Sequence, residues 1–311
     1  MFCRQLMLVL LLLLCVNVTA QSSKNPLIQK GWDALIKDQD NEAFGYFSQA
    51  YEKAKMDHNT ADKAEALLSL GISSYGSSFE KGLHYATKSL ENYTQLEQTD
   101  PHLSKVGRGK CLQLISTIYT RQGKYTEAIP ICREVIQILN NLNDQSGTLG
   151  LAYSNMGTLF EKIKESDSSI WFYKQALIDF EKSDSKAYLP SAYIKIGEYE
   201  LKKKRADNSL MYFNKALAIS KATENKQAEV SSLNALGNWS LKTGSNHNAQ
   251  QYFQKAIQIA ESLSDKTFEL KTLRHLISFQ EQQENYPEIA RLQKGITRYF
   301  CFTNWFIFCR N

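Results

Sequence analysis

Ser231–Ala260, SSLNALGNWSLKTGSNHNAQQYFQKAIQIA, is the stretch from which the rest of the chain can be read. Its Leu233, Leu236 and Gly237 stand at i, i+3 and i+4, the spacing of one helix face. A polar break with a glycine, Thr243–Asn246, follows, and then Ala249, Phe253 and Ala256 mark a second helix. The same order of residues stands forty positions earlier as Tyr193, Ile196, Gly197, Ser209, Phe213 and Ala216. It stands again as Tyr153, Met156, Gly157, Ser169, Tyr173 and Ala176. The phrases WFYKQALIDF, MYFNKALAIS and QYFQKAIQIA make the copying visible. The spacing predicts a helix–turn–helix unit repeated in tandem.

Two antiparallel helices approach closely where a small residue admits a bulky neighbour. Gly237, Ala249 and Ala256 supply the gaps, and Phe253 fills them. One hairpin cannot bury its apolar side alone, so it must stack on the next. The pattern resembles the tetratricopeptide repeat: a large residue and Leu-Gly on the first helix, then Ala-x3-Phe and a further small residue on the second. The glycine position is held by Gly31, Gly71, Ser116, Gly157, Gly197 and Gly237, at steps of 40, 45, 41, 40 and 40. The family's usual period is about 34 residues, so these helices are expected to be longer by about a turn. The resemblance implies an all-α fold, a right-handed superhelical solenoid of six to seven hairpins. It also implies a concave groove, lined by the first helices, that holds a protein or peptide.

Composition is compatible with this. Hydrophobic residues make up 43 % of the chain, enough to spread a core along an array, and five prolines among 311 residues argue against a disordered or fibrous protein. The net charge of +5, from 37 basic and 32 acidic residues, is too mild to imply nucleic acid, and no basic stripe with interleaved aromatics occurs.

In chain order, residues 1–20 read as an export signal: Arg4, an apolar run from Leu6 to Val16, and the small residues Val18 and Ala20 before a cut. The run is short for a resident membrane helix, which needs about 20 residues; a retained anchor, or a lipoprotein built on Cys15, is the other reading. The array is expected over 26–292, with repeats near 26–60, 61–98, 105–144, 150–185, 190–225 and 230–264, and a degenerate one at 268–292. Thr99–His102 reads as a turn, and Pro130 as lying in the opening turn of a second helix that begins near Thr126. Residues 295–311, GITRYFCFTNWFIFCRN, break the pattern, with six aromatics between Tyr299 and Phe308. A hydrophobic plug, an interfacial anchor and a truncated or frame-shifted end all fit that composition.

Catalytic motifs are missing from the sequence. Cys111 and Cys132 fall on the two helices of the third hairpin, and Cys132 takes the Phe position, where a buried free thiol is expected rather than a disulfide. His58, His84, His102, His247 and His275 have no metal-ligand spacing. Gly107-Arg-Gly-Lys110 only glances at a phosphate loop, because Ser104 and Cys111 stand where a glycine and a hydroxyl residue belong. Neither GxSxG nor HExxH occurs. Neither an enzyme, a cofactor nor a bound metal is expected. The sequons at Asn92 and Asn238 read as chance, and Lys202–Arg205 as cations that complement a helix end.

The resemblance places the groove on residues flanking the glycine position. These are Asn155, Thr158 and Lys162 in the fourth repeat, Lys195 and Lys202 in the fifth, and Asn234, Asn238 and Lys242 in the sixth, with Arg121 continuing the row in the third. A cation recurs at Arg121, Lys162, Lys202 and Lys242. Dipole compensation at four helix ends accounts for it; so does a basic rail that, with the asparagines, grips a peptide's backbone and carboxylates. The family's carboxylate clamp, a Lys and two Asn across neighbouring repeats, is partly matched. The expected function is a non-enzymatic, exported (periplasmic or extracellular) scaffold for a protein or peptide, with membrane contact through the tail. The alternative is the extracytoplasmic sensor portion of a truncated signalling receptor, since the leader and the long repeats resemble the input region of sensor histidine kinases.

Overall fold

A computed structural model describes residues 25–36, 39–140, 142, 147–183, 185–263, 266–294 and 296. The expected leader at 1–20 and, apart from Ile296, the aromatic tail at 295–311 lie outside the described residues.

The described chain is helical throughout and folds as consecutive hairpins. They are α1 (Pro26–Ile36) with α2 (Asp40–Met56), α3 (Thr60–Ser74) with α4 (Phe79–Gln95), and α5 (Pro101–Arg121) with α6 (Tyr125–Leu139). Next come α7 (Thr148–Lys162) with α8 (Ser166–Lys182), α9 (Leu189–Lys202) with α10 (Ala206–Ala222), and α11 (Lys226–Lys242) with α12 (Asn246–Glu261). The last is α13 (Lys266–Gln282) with α14 over 286–294. The chain divides into two compact units, one reaching Ala192 and one starting at Tyr193.

In the N-terminal unit each hairpin meets at the expected small-residue position. A Cβ on Gly31 would run into the Phe47 ring, which Trp32 meets edge-on at 5.1 Å. A Cβ on Gly157 would lie 2.7 Å from the Tyr173 ring. The second hairpin has no ring to admit. Gly71 instead brings the helices together, so that its Cβ would fall 3.3 Å from the Ala86 backbone nitrogen, and Gly82 abuts the fully buried Tyr75. In the third hairpin Ser116 and Cys132 take the two positions, both fully buried.

Two local readings need correcting. Helix α5 begins at Pro101, earlier than the expected Lys105, because the Asp100 carboxylate accepts from the Leu103 N–H at 2.9 Å and Pro101 takes the first helical position. Gly107 and Gly109 are therefore helix interior, packed against the Tyr93 ring and the Leu139 side chain. Pro130 is the sixth residue of α6 rather than part of its opening turn. It removes one helical hydrogen bond, but it is exposed, so the freed carbonyl can meet water.

In the C-terminal unit the pattern is more regular. A Cβ on Gly197 would lie 2.6 Å from the Phe213 ring, and one on Gly237 would run into the ring of Phe253. Phe253 packs in turn on Leu273, Leu276 and Phe279 of the last hairpin. Ile277 stands in the glycine position there, and α14 brings Ile289 and Leu292, each at most 9 % exposed.

A feature of the hairpin turns was not read from the sequence. Seven residues after the small-residue position the backbone turns left-handed, at Gly123 (φ 76°), Lys164 (φ 66°), Lys204 (φ 61°), Gly244 (φ 82°) and Glu284 (φ 54°). Three of these five are not glycine, which hid the motif.

Candidate functional site

Within each unit, first helices of successive hairpins come together. Helix α5 touches α3 and α7, and α11 touches α13, so residues beside the small-residue position of one hairpin meet those of the next. Two of the expected groove residues are used in this way. The Asn155 amide donates to Thr117 Oγ1 at 2.9 Å, and the Asn234 amide donates to Thr272 Oγ1 at 2.9 Å. Both bonds join first helices of successive hairpins. Asn234 is buried and Asn155 half-buried.

The other expected residues divide by surroundings. Thr158 is half-buried; its Oγ1 donates to the Ser154 carbonyl at 3.1 Å and lies 3.1 Å from the Tyr173 hydroxyl, which donates to Glu161 at 3.0 Å. Lys195 is half-buried and pairs with Glu198 at 3.4 Å. Asn238 is half-buried on α11. Lys162, Lys202 and Lys242 are exposed in the last turns of α7, α9 and α11, where a cation meets the negative end of the helix dipole. Arg121 holds the same position on α5 but does not point freely outward. Its guanidinium lies over the Tyr75 ring at 5.6 Å and the Phe79 ring at 5.9 Å.

Cys111, Cys132 and His275 are packing groups. Cys111 and Cys132 are free thiols. Burial pushes Cys111 up to about 12, although it hydrogen-bonds Ser89, and pushes Cys132 up to about 11. Neither is a thiolate near neutrality. His275 stacks on the Phe253 ring at 5.8 Å, and burial, then the neighbouring Lys271, holds it down at about 4. The Asn92 amide is buried and donates to the Lys88 carbonyl at 2.7 Å, which closes that sequon to modification in the folded chain. Among the described residues no three His, Cys, Asp or Glu side chains group as metal ligands, and no helix is long and apolar enough to cross a membrane.

Models of the tetratricopeptide repeat match residues 109–144 and 188–262. The chain carries tetratricopeptide repeats over these residues. No curated protein sequence matches this repeat chain. Among solved structures it is similar to aspartyl phosphate phosphatase F from Bacillus subtilis, at 18 % identity and a TM-score of 0.68, over 88 % of this chain and 68 % of that one. It is similar to apo RapI at 16 % identity and a TM-score of 0.65, over 88 % and 98 % of the two chains. A Rap protein complexed with Competence and Sporulation Factor gives 16 % identity and a TM-score of 0.66, over 88 % and 73 %. At such identities the likeness shows the fold alone.

Proposed function

We propose that this tetratricopeptide-repeat chain is a non-enzymatic scaffold that binds a protein or peptide segment along its first helices. The observation that carries the reading is the packing of α11 on α13 in the C-terminal unit, with Asn238 half-buried beside the exposed Lys242 at the end of α11. Backbone amides and carbonyls of an extended segment need such partially covered donors and acceptors. The complex of one Rap protein with Competence and Sporulation Factor supports binding by this fold. The binding role follows from site and fold together, since a repeat fold alone names no ligand. Export rests on the composition of residues 1–20, and membrane contact on that of Tyr299–Phe308.

The test uses the full chain to select short peptides from a displayed random library. Charge reversal of Lys162, Lys202 and Lys242 together should abolish capture of the selected peptides and leave the circular-dichroism helix signal unchanged. Undiminished capture by the folded triple variant would sink the reading.

A further inference from the structure

Lys271 on α13 is not among the residues expected to line a groove. It is open to solvent, yet the protein crowded around it holds its ammonium below the usual lysine range. The Glu198 carboxylate of α9 opposes that shift, and the Lys195 ammonium adds to it. A side chain that meets water and is still crowded by protein stands in a recess. The influence of Glu198 and Lys195 also brings the first helices of the fifth and seventh hairpins within electrostatic reach of each other, inside the C-terminal unit. Glu198 is paired with Lys195 at 3.4 Å, so the three side chains together carry one positive charge.

Helix α11, the first helix of the hairpin between them, supplies polar groups. The Asn234 amide nitrogen is tied to Thr272, the residue after Lys271, at 2.9 Å. Its Oδ1 is buried without a donor, in a residue only 2 % exposed. An acceptor shut away from water without a donor is costly. Asn238 stands four residues on, on the same face of α11, and is half-buried. An extended backbone offers the N–H and C=O groups that asparagine amides match. His275, one turn after Lys271, is stacked on Phe253 and neutral near pH 7, so it adds no second charge.

We propose that the face formed by α11 and α13 takes an extended peptide segment with an internal Asp or Glu, whose carboxylate meets Lys271 and whose adjoining backbone meets Asn238 and Asn234. Lys271 then selects the charge of the segment. Complementarity sets the number of acids: one excess positive charge suits one carboxylate, whereas a chain end with an acidic side chain brings two. Crowding also leaves the Lys271 charge less screened than a cation at an open helix end. The proposal rests on the peptide capture proposed above and adds the chemistry of the captured segment.

The test selects peptides with the full chain from a displayed random library. Each peptide is joined to the display protein by its C-terminus, so no free terminal carboxylate is present. The selected segments should share an Asp or Glu at one position. Exchanging that residue for Asn or Gln should weaken binding about fivefold, the size of a partly exposed charge contact. Lys271→Gln should weaken the acidic peptide by the same factor and bind its neutral form equally well. Lys271→Glu should prefer the form with lysine at that position. Lys255→Gln, exposed on the second helix α12, should change binding less than about twofold. Each variant should keep the circular-dichroism helix signal. Selected peptides without a shared acid, or an acid whose exchange matters as much in Lys271→Gln as in the parent, would overturn the proposal and leave peptide capture standing. Failure to select any peptide would overturn both.

Discussion

The third and sixth hairpins solve one packing problem in two ways. In the sixth, Gly237 admits the Phe253 ring, and Phe253 is fully buried. In the third, Ser116 carries the Cβ that such a ring would strike, and the partner sixteen positions on is the small Cys132. The gap is lined from the next hairpin, where Met156 and Leu159 pack on Cys132 with Ala128, as Leu276 and Phe279 pack on Phe253. Methionine suits such a gap because its unbranched chain adapts. The two hairpins teach that the crossing accepts different residue pairs, a glycine with a ring or a serine with a small thiol, as long as neighbours close around them.

That lesson can be broken most directly by rebuilding the third hairpin's pair inside the sixth. Phe253→Cys alone should cost about 3–4 kcal/mol, from lost burial and the cavity left behind. Gly237→Ser alone should cost about 1–3 kcal/mol, because its Cβ meets the ring. Made together, the two should cost less than their sum by at least about 1 kcal/mol, as read from urea unfolding. Strict additivity would show that the ring and the small residue do not share one site.

A smaller effect separates the two hairpins by pH. The Phe253 ring is covered by His275, which stays neutral in the folded chain down to about pH 4, whereas an unfolded histidine titrates near 6.5. The unfolded state therefore takes up this proton first. Stability should fall as pH drops from 6.5 to 4 and gain nothing further from this group below 4. His275→Gln should flatten that part of the profile relative to the parent chain, and an unchanged difference between the two across the window would remove the burial argument. In the third hairpin, where Cys132 packs on Ala128, Met156 and Leu159, a Met156→Leu variant should keep the parent's slope.

The smallest effect lies in the turns. The third and sixth hairpins agree there, with glycine in the left-handed position, while the fifth carries Lys204. Lys204→Gly should raise the urea midpoint slightly, by about 0.5 kcal/mol, the relief of strain less the extra freedom glycine brings to the unfolded chain. A loss of stability would mean that the lysine side chain holds the turn.

Much of this fold was legible because its signals are local. The pairs Gly237 with Phe253, Gly197 with Phe213 and Gly157 with Tyr173 stand sixteen residues apart in one hairpin, and periodicity alone exposes them. The left-handed turns at Lys164 and Lys204 were not legible, since residue type gave no sign of a backbone that the length of the turn imposes. The expected groove was legible only as a row of positions. Asn155 and Asn234 are tied by hydrogen bonds to threonines thirty-eight residues away, and Arg121 lies on the rings of Tyr75 and Phe79 in the preceding hairpin.

By itself, the sequence determined the repeat, its period and the residue in each hairpin that yields to a neighbour, because these depend on helix geometry and side-chain volume. Only the tertiary structure decided which polar side chains at equivalent positions bond to a neighbouring hairpin. Stacking brings residues of separate hairpins into hydrogen-bond range, and each such bond withdraws a donor that the sequence pattern leaves open.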